Sequence, residues 1–350
     1  MKDERDNVSL RVADFDYELP PELIAQKPVE PRDAARMLVV HRATGLLEHR
    51  RFSDLPEYIE PGSALVLNDT RVLPARLRGR KKTGGAVEIL LLTPVGESTW
   101  EALVRPSRRV PEGTVLDLGE ELRVVIGERL GDGKRAVQLI AHEGEDVFKV
   151  LERVGEVPLP PYIHTPLDDP ERYQTVYAQQ AGSAAAPTAG LHFTPRLLDQ
   201  LRNQGVSVHS VTLHVGIGTF RPVMTELVTE HRMHAEQYAV PAETARAVNE
   251  TKRRGGRVFA VGTTTCRTLE SAAVEPGTLR PGAGTTDLFI YPGYQFKMVD
   301  ALITNFHLPR SSLLMLVAAF AGKELIDRAY AEAVKERYRF YSLGDAMLIL

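Results

Sequence analysis

The chain has 350 residues, of which 43% are hydrophobic and 25% charged, with a formal net charge of −3. This length allows about two domains, and the composition is that of a soluble globular protein. The longest apolar run, Leu313–Ala321, is too short to span a bilayer, and the single cysteine, Cys266, excludes an internal disulfide framework. No secretory signal is visible at the charged N-terminus, so we expect a cytoplasmic enzyme.

Short strand-like runs follow one another through the first half of the chain. They are Val72–Arg78, Ala86–Thr93, Thr99–Arg105, Thr114–Leu118, Leu122–Ile126 and Arg135–Ala141. Turn signals such as Gly84-Gly85 and Gly131-Asp-Gly133 separate them, and no long helix fits between them. Six short strands joined by tight turns predict a small antiparallel β-barrel.

After about Glu145, helices and strands alternate. The predicted helices are Pro195–Asn203, Glu243–Arg254, Thr265–Ala273, Ser312–Ala321 and Lys323–Arg337. The predicted strands are Val206–Val215, Arg257–Val261, Leu288–Tyr291 and Ala301–Thr304. This alternation predicts a largely parallel sheet that is covered on both faces.

The barrel interrupts the α/β pattern, because the segment before Asp69 has no barrel character. The predicted fold class is therefore α/β with an inserted all-β domain. Residues 1–70 and 151–350 are expected to form one discontinuous α/β core domain. Residues 71–150 are expected to form the six-stranded antiparallel barrel.

Two runs of small residues stand out. Gly182–Thr194 reads GSAAAPTAGLHFT, and His214–Phe220 reads HVGIGTF. Small residues let a backbone pass close to another group, and glycine permits turns that aim N–H groups at a ligand. Thr194-Pro195 is typical of a helix N-cap and first turn. Because each run also carries a histidine and an aromatic residue, the pair indicates a binding site.

Polar loops follow several predicted strands. They are Gly262-Thr-Thr-Thr-Cys-Arg267, Tyr291-Pro-Gly293 and Thr304-Asn-Phe-His307. Ligands of open α/β sheets bind outside the carboxyl ends of the strands. With His192 and His214, these loops are expected to bring three histidines, several hydroxyls and aromatic faces to one rim.

Other motifs are missing or incomplete. The chain has no Walker-type phosphate loop, and Gly216-x-Gly218 lacks the third glycine of a dinucleotide fingerprint. His231 and His234 are three positions apart, with Glu236 nearby, but no H-E-x-x-H pattern is present. We therefore predict no metal site.

Eight segments together carry a family resemblance. They are Asp14–Pro20, Leu67–Val72, Gly182–Thr194, His214–Phe220, Gly262–Glu270, Asp287–Tyr294, Leu302–Pro309 and Tyr341–Met347. On these segments the chain resembles the S-adenosylmethionine:tRNA ribosyltransferase-isomerases of queuosine biosynthesis. Thr265 and Ser312 stand where Ser and Thr are expected. The sequences GSAAAPTAGLHFT and LITNFHLP are long and chemically unusual, which makes the resemblance specific.

The resemblance implies a transferase with an α/β domain and a β-barrel. Its substrate is a tRNA that carries 7-aminomethyl-7-deazaguanine at the wobble position. The ribosyl part of S-adenosylmethionine moves to the aminomethyl nitrogen and is isomerised, giving epoxyqueuosine-tRNA, adenine and methionine. S-adenosylmethionine is then a consumed co-substrate, and no cofactor is expected.

That reaction needs a base, a general acid and groups that hold S-adenosylmethionine. Histidine has the most suitable pKa, so the hypothesis takes His192, His214 and His307 as the catalytic acid/base pool. The expected contacts of S-adenosylmethionine are Thr188, Phe193, Gly216, Gly218, Thr219, Phe220, Thr263, Thr264, Arg267, Asp287, Tyr291 and Asn305. Among these, an aromatic face would suit the sulfonium, and Arg267 the methionine carboxylate.

Basic residues cluster locally although the net charge is negative. The expected contacts of tRNA phosphates are Arg76, Arg78, Arg80, Arg105, Arg108 and Arg109. We expect a monomer that has no membrane partner. The partial Gly216-x-Gly218 leaves a methyltransferase as the nearest alternative, and the barrel with its basic clusters leaves a non-catalytic RNA-binding module.

Overall fold

The computed structural model describes residues 10–96, 98–131, 133–142, 145–216 and 223–350. These residues form nineteen strands and six α-helices. The strands are β1 (Arg36–Val40), β2 (Leu47–Arg51), β3 (Ala64–Asn68), β4 (Thr70–Val72), β5 (Arg76–Lys81), β6 (Ala86–Pro94), β7 (Thr99–Arg105), β8 (Val115–Leu118), β9 (Leu122–Arg129), β10 (Lys134–Ala141), β11 (Gln180–Ser183), β12 (Ser207–Leu213), β13 (Glu236–Val240), β14 (Val258–Val261), β15 (Ala273–Glu275), β16 (Thr278–Leu279), β17 (Gly282–Thr286), β18 (Ala301–Asn305) and β19 (Ala346–Ile349). The helices are α1 (Val147–Val154), α2 (Pro195–Asn203), α3 (Ala242–Arg253), α4 (Thr263–Ala272), α5 (Ser312–Ala321) and α6 (Lys323–Lys335).

A nine-stranded sheet forms the α/β part, in the order β17-β13-β12-β3-β14-β18-β19-β1-β2. The four central strands β12, β3, β14 and β18 are parallel to one another. β19 runs antiparallel to β18, and β1 is parallel to β19. β2, β13 and β17 add antiparallel edges. The sheet is therefore mixed, and the largely parallel sheet that the sequence predicts is found only at its centre.

Two apolar cores cover the two faces of this sheet, as predicted. Successive residues of β18 show the division, because Leu302 packs into one core while Ala301 and Ile303 pack into the other. Side chains of a strand alternate between faces, so a strand that is buried on both sides reads as a continuous apolar run. This explains why β3, β14 and β18 are buried along their whole length.

The barrel is closed by six antiparallel strands in the order β10-β7-β6-β5-β8-β9, which confirms the predicted fold class. Its core includes Trp100 and two residues of α1, Val150 and Leu151. One predicted barrel strand, Val72–Arg78, is divided. Its first residue belongs to β4, which pairs with β11, and β5 begins only at Arg76. Pro74 lies between them and cannot donate a ladder hydrogen bond.

The predicted strand Leu288–Tyr291 is wrong, because these residues have no strand structure. They pack on the core through Leu288, Phe289, Ile290 and Tyr291, while β17 takes the sheet edge. A short apolar run indicates burial and does not by itself indicate strand pairing. None of the helices in the described ranges has both the length and the apolar character that a membrane crossing needs.

Candidate active site

The carboxyl ends of the four central strands lie side by side along one edge of the sheet. β3 ends at Asn68, β12 leads into His214, β14 into Gly262, and β18 ends at Asn305. We call this the carboxyl edge. The polar loops that the sequence analysis singled out after β14 and β18 are thus neighbours in space, as the rule for open α/β sheets predicts.

Asn68 connects three of these strand ends. Its side chain is fully buried and bonds both backbone groups of Leu213: Nδ2 donates to the Leu213 carbonyl at 3.0 Å, and Oδ1 accepts from the Leu213 N–H at 3.0 Å. Nδ2 also lies 3.2 Å from the hydroxyl of Thr264, in the first turn of α4. A buried amide whose groups are all bonded fixes its neighbours firmly, because each lost bond would leave a desolvated polar atom.

The run Gly182–Thr194 crosses the carboxyl edge. The Val215 N–H donates to the Ser183 hydroxyl at 2.9 Å, and the Ala184 N–H donates to the Val215 carbonyl at 3.1 Å. Further along, the Thr188 hydroxyl donates to Oδ1 of Asn305 at 3.1 Å. The run ends as predicted, with Thr194 capping α2 by accepting from the Leu197 N–H at 3.2 Å.

Two glycines of this run allow close approaches that a side chain would block. A Cβ atom at Gly182 would lie 2.9 Å from the His214 ring, and the residue has φ +147°. A Cβ atom at Gly190 would lie 2.0 Å from the Tyr177 hydroxyl oxygen. The small residues of the run therefore bring its backbone against His214 and Tyr177, as the composition indicates.

The three predicted catalytic histidines have separate partners. His192 Nε2 lies 3.2 Å from Nδ2 of Asn305, and its ring packs against Phe52. His307 Nε2 lies 2.8 Å from the Thr304 hydroxyl. Thr304 and Asn305 are successive strand residues, so their side chains point to opposite faces.

His214 is bonded on another strand end, where its Nδ1 lies 2.8 Å from the Thr70 hydroxyl. Each of the three rings is therefore bonded to a different partner. Within the part of the chain that the structure describes, no hydrogen bond joins two of the three histidines.

Burial lowers the pKa of all three histidines, but to different extents. It lowers the pKa of His192 to about 3, with the nearby Arg339 and Arg32 adding to the shift. It also lowers the pKa of His307 to about 3. The pKa of His214 lies below its ordinary value because the ring is half-buried, while Asp69 opposes the shift. His192 and His307 are therefore neutral at pH 7, and only His214 has a ring that is partly exposed.

Arg267 is buried and forms an ion pair with Glu236, which the sequence analysis did not foresee. Nη1 of Arg267 donates to Oε2 of Glu236, and its Nε donates to the Leu288 carbonyl at 3.0 Å. Oε1 of Glu236 accepts from the Gly216 N–H at 3.0 Å. Nη2 of Arg267 is buried and has no hydrogen-bond partner among the described residues. The ion pair thus connects α4 and β13 with the backbone at Gly216.

The remaining residues predicted to bind S-adenosylmethionine differ from one another in burial and packing. Thr263 lies beside Thr264 in the buried first turn of α4, whereas Asp287 is exposed and Tyr291 packs against Phe289. Phe193 is fully buried against Phe52 at a centroid distance of 5.0 Å, so it is a core side chain and offers no face to a sulfonium. Gly218, Thr219 and Phe220 lie outside the described residues.

The predicted RNA-binding arginines lie on the barrel surface. Arg76, Arg78 and Arg80 alternate along β5, and Arg105 ends β7. Arg78 is paired in register with Glu88, which is itself paired with Arg105, so the three form a row across three strands. Arg108 and Arg109 follow in a short 3₁₀ turn. The structure thus places all six on the barrel or its connections.

Several residues of the site carry little signal in the sequence. Glu236 is a single acidic residue in a strand that the periodicity does not reveal, and Phe52 belongs to a segment without a motif. Thr70 lies in the Leu67–Val72 match, but nothing in that match shows that its hydroxyl meets His214. Only the tertiary structure identifies these partners.

Comparisons with known proteins identify the family of this chain. Residues 12–349 match the profile of a family described as queuosine biosynthesis protein. Proteins named S-adenosylmethionine:tRNA ribosyltransferase-isomerase from Symbiobacterium thermophilum and Thermotoga maritima are 60% and 57% identical, each across 97% of this chain and 100% of the relative. A crystal structure of S-adenosylmethionine tRNA ribosyltransferase from Thermotoga maritima is 47% identical, with a TM-score of 0.56, and covers 96% of this chain and 100% of its own. The chain therefore belongs to the S-adenosylmethionine:tRNA ribosyltransferase-isomerase family of queuosine biosynthesis.

Proposed function

We propose that this chain transfers the ribosyl part of S-adenosylmethionine to the aminomethyl nitrogen of 7-aminomethyl-7-deazaguanine at the tRNA wobble position. The transferred group is isomerised to an epoxycyclopentanediol, so the products are epoxyqueuosine-tRNA, adenine and methionine. Membership of the family supports the substrates. The observation that carries the proposal is the course of Gly182–Thr194 across the carboxyl edge, where the run contacts both His214 and Asn305.

The chemistry starts at the carbon beside the sulfonium, whose proton is acidified by the positive charge. A base must remove this proton, and a general acid must protonate departing adenine. We assign proton transfer to His214, because it is the partly exposed ring of the three and Thr70 fixes its orientation. His192 and His307 are buried and neutral, so we propose that they position Asn305 and Thr304.

S-adenosylmethionine is proposed to lie along the carboxyl edge, near the hydroxyls of Thr188, Thr263 and Thr264. Arg267 is proposed for the methionine carboxylate, since its Nη2 needs an acceptor. In this proposal S-adenosylmethionine is consumed, no cofactor or metal takes part, and the enzyme works as a cytoplasmic monomer.

A mass-spectrometric assay tests the proposal. Purified protein is mixed with S-adenosylmethionine and tRNA carrying 7-aminomethyl-7-deazaguanine, and the small molecules and digested tRNA are analysed. We expect adenine, methionine and a ribosyl-derived mass gain on the modified base. S-adenosylhomocysteine with a methyl gain would instead identify a methyltransferase, and no turnover by intact protein would leave an RNA-binding module.

A further inference from the structure

A cleft of about 720 Å³ lies beside the start of the barrel, between β4–β5 and the segment 155–171. Binding sites for small ligands and nucleotides have volumes of about 300–1,000 Å³, so one or two nucleotides would fill it. Its charged lining consists of Arg71, Arg76, Arg78, Glu152, Glu156 and Glu171. The cleft is thus lined by three cationic and three anionic side chains.

The arginines of the cleft are held by exchangeable partners. Arg71 Nη2 lies 2.6 Å from Glu171, and Arg78 Nε lies 3.2 Å from Glu156. The side chains of both pairs are between one-third and two-thirds exposed. Such exposed ion pairs contribute little to stability, so a competing anion can replace the carboxylates at little cost. Arg76 has a buried Nε without a partner among the described residues.

The β4–β11 pair lies between the cleft and His214. β4 begins at Thr70, whose hydroxyl bonds His214, and the next residue, Arg71, lines the cleft. On the paired strand β11, Ala181 lines the cleft while the following Gly182 lies against the His214 ring. Thr70 and Arg71 are successive residues of one strand, and Ala181 and Gly182 of the other, so the cleft and His214 lie one residue apart on opposite faces of the β4–β11 pair.

We propose that the phosphate backbone of the RNA substrate occupies this cleft, so that its modified base reaches His214 around the β4–β11 pair. Arg71, Arg76 and Arg78 then bind phosphates, and Glu156 and Glu171 are competing anions that the phosphates displace. The inference rests on the proposed function and deepens it by locating the RNA. It adds Arg71 to the predicted RNA contacts and keeps Arg76 and Arg78 among them. The other predicted arginines do not line the cleft: Arg80, Arg105, Arg108 and Arg109.

Arginine variants test the phosphate contacts. A fluorescently labelled anticodon stem-loop RNA is titrated with R71A, R76A or R78A protein over a range of salt concentrations. We expect weaker binding, with a salt slope that falls by about one for each arginine removed. The matched control is R123A. Arg123 is 61% exposed on β9 and bound to Asp117, much as Arg78 is 63% exposed and bound to Glu156, but it lies outside the cleft.

A glutamate variant tests displacement. E156Q removes the competing charge and leaves the backbone bridge between Arg76 and Glu156 in place, so we expect tighter RNA binding at low salt. D117N, which removes the partner of the control arginine, should leave binding unchanged. A purely structural Arg78–Glu156 pair would make E156Q and R78A weaken binding alike. That result, or arginine variants with the wild-type salt slope, would overturn the proposal.

Turnover separates this inference from the proposed function. If the wild-type protein releases adenine in the presence of modified tRNA while the arginine variants bind RNA normally, the function stands and the cleft assignment fails. If the wild-type protein releases no adenine while the three variants lose RNA affinity and E156Q gains it, the cleft binds RNA and the proposed reaction fails.

Discussion

The carboxyl edge and the barrel surface use polar residues in opposite ways. At the carboxyl edge, Asn68, Arg267 and His192 are almost completely buried, and each is bonded to a specific partner. On the barrel, Arg78 and Arg123 are more than half exposed and pair with carboxylates that are equally exposed. Buried polar groups depend strongly on their partners, whereas exposed charges are screened by water and salt.

This difference suits the two regions to different tasks, proton transfer at the carboxyl edge and RNA binding on the barrel. A site that must transfer protons needs fixed geometry and shifted pKa values, which burial provides. A surface that must bind a long polyanion needs many weak, exchangeable contacts, which exposure provides. We therefore expect substitutions at the carboxyl edge to change rate and stability, and substitutions on the barrel to change mainly the salt-dependent affinity for RNA.

The largest effect is expected at His214. H214A should lower the rate of adenine release by about 10²–10⁴-fold, the usual contribution of a general acid or base. H209A is the control, because His209 lies on β12, the strand that leads into His214, and is also half-buried. A rate for H214A within about tenfold of wild type would remove proton transfer from His214.

The second-largest effect is expected for the buried ion pair between Arg267 and Glu236. Removing one partner of such a pair costs about 3–5 kcal/mol, because the other charge stays buried, so R267M and E236Q should each unfold at much lower urea concentration. The double variant should recover much of this loss. If the double variant is no more stable than the singles, the two side chains are not energetically coupled.

Acid should destabilise the carboxyl edge. In the folded protein the pKa values of His192 and His307 are about 3, so both rings stay neutral over most of the acid range. In the unfolded chain the same histidines take up protons below about pH 6.5. Their contribution to the free energy of unfolding is therefore fully present above about pH 6.5 and is lost as the pH falls towards about 3. Urea unfolding at pH 7 and pH 5 measures this loss. H192Q should show a smaller difference between the two pH values than wild type, and an equal difference would contradict the burial of a neutral ring.

A packing rescue tests the small residues of the run. G190A should cost about 1–3 kcal/mol, since its Cβ would collide with the Tyr177 hydroxyl. That hydroxyl has no hydrogen-bond partner among the described residues, so Y177F alone should be close to neutral. G190A/Y177F should therefore be more stable than G190A in thermal unfolding. Equal stability would show that the collision is not with the hydroxyl.

The smallest effects on stability are expected on the barrel. R78A and R123A should each change the free energy of unfolding by less than about 0.5 kcal/mol, because both remove exposed ion pairs. Thermal unfolding in low and high salt measures the change. A loss for R78A that clearly exceeds that of R123A would make Arg78 a structural residue and weaken the comparison between the two regions.

The sequence allowed the elements with strong local signals to be predicted. The bounds of α2, α5 and β7 match the predicted ones residue for residue, since caps and turn residues mark their ends. β1, β13 and β19 were not predicted. Each is a five-residue or shorter strand whose pairing depends on distant partners, and local periodicity does not reveal such partners.

The location of the site could be predicted from the sequence, but only some of the contacts within it could. The loops after β14 and β18 were located because parallel strands share a carboxyl edge. Burial of Phe193, the Arg267–Glu236 pair and the separation of His192 from His307 were not foreseen. Phe193 and His192 lie at the end of a 3₁₀ turn and Arg267 lies in α4, so their partners are set by tertiary packing that local periodicity does not reveal.

The position of β19 in the middle of the sheet has a consequence for synthesis. β19 lies between β18 and β1, and Met37 pairs with Ala346, so the β1–β2 hairpin joins the sheet only after a partner strand that leaves the ribosome roughly 300 residues later. The barrel strands, by contrast, pair with near neighbours and can fold while the chain is still growing. The order of emergence therefore allows the barrel to fold before the sheet, and it leaves one edge of β1 open to unwanted pairing until β19 has emerged.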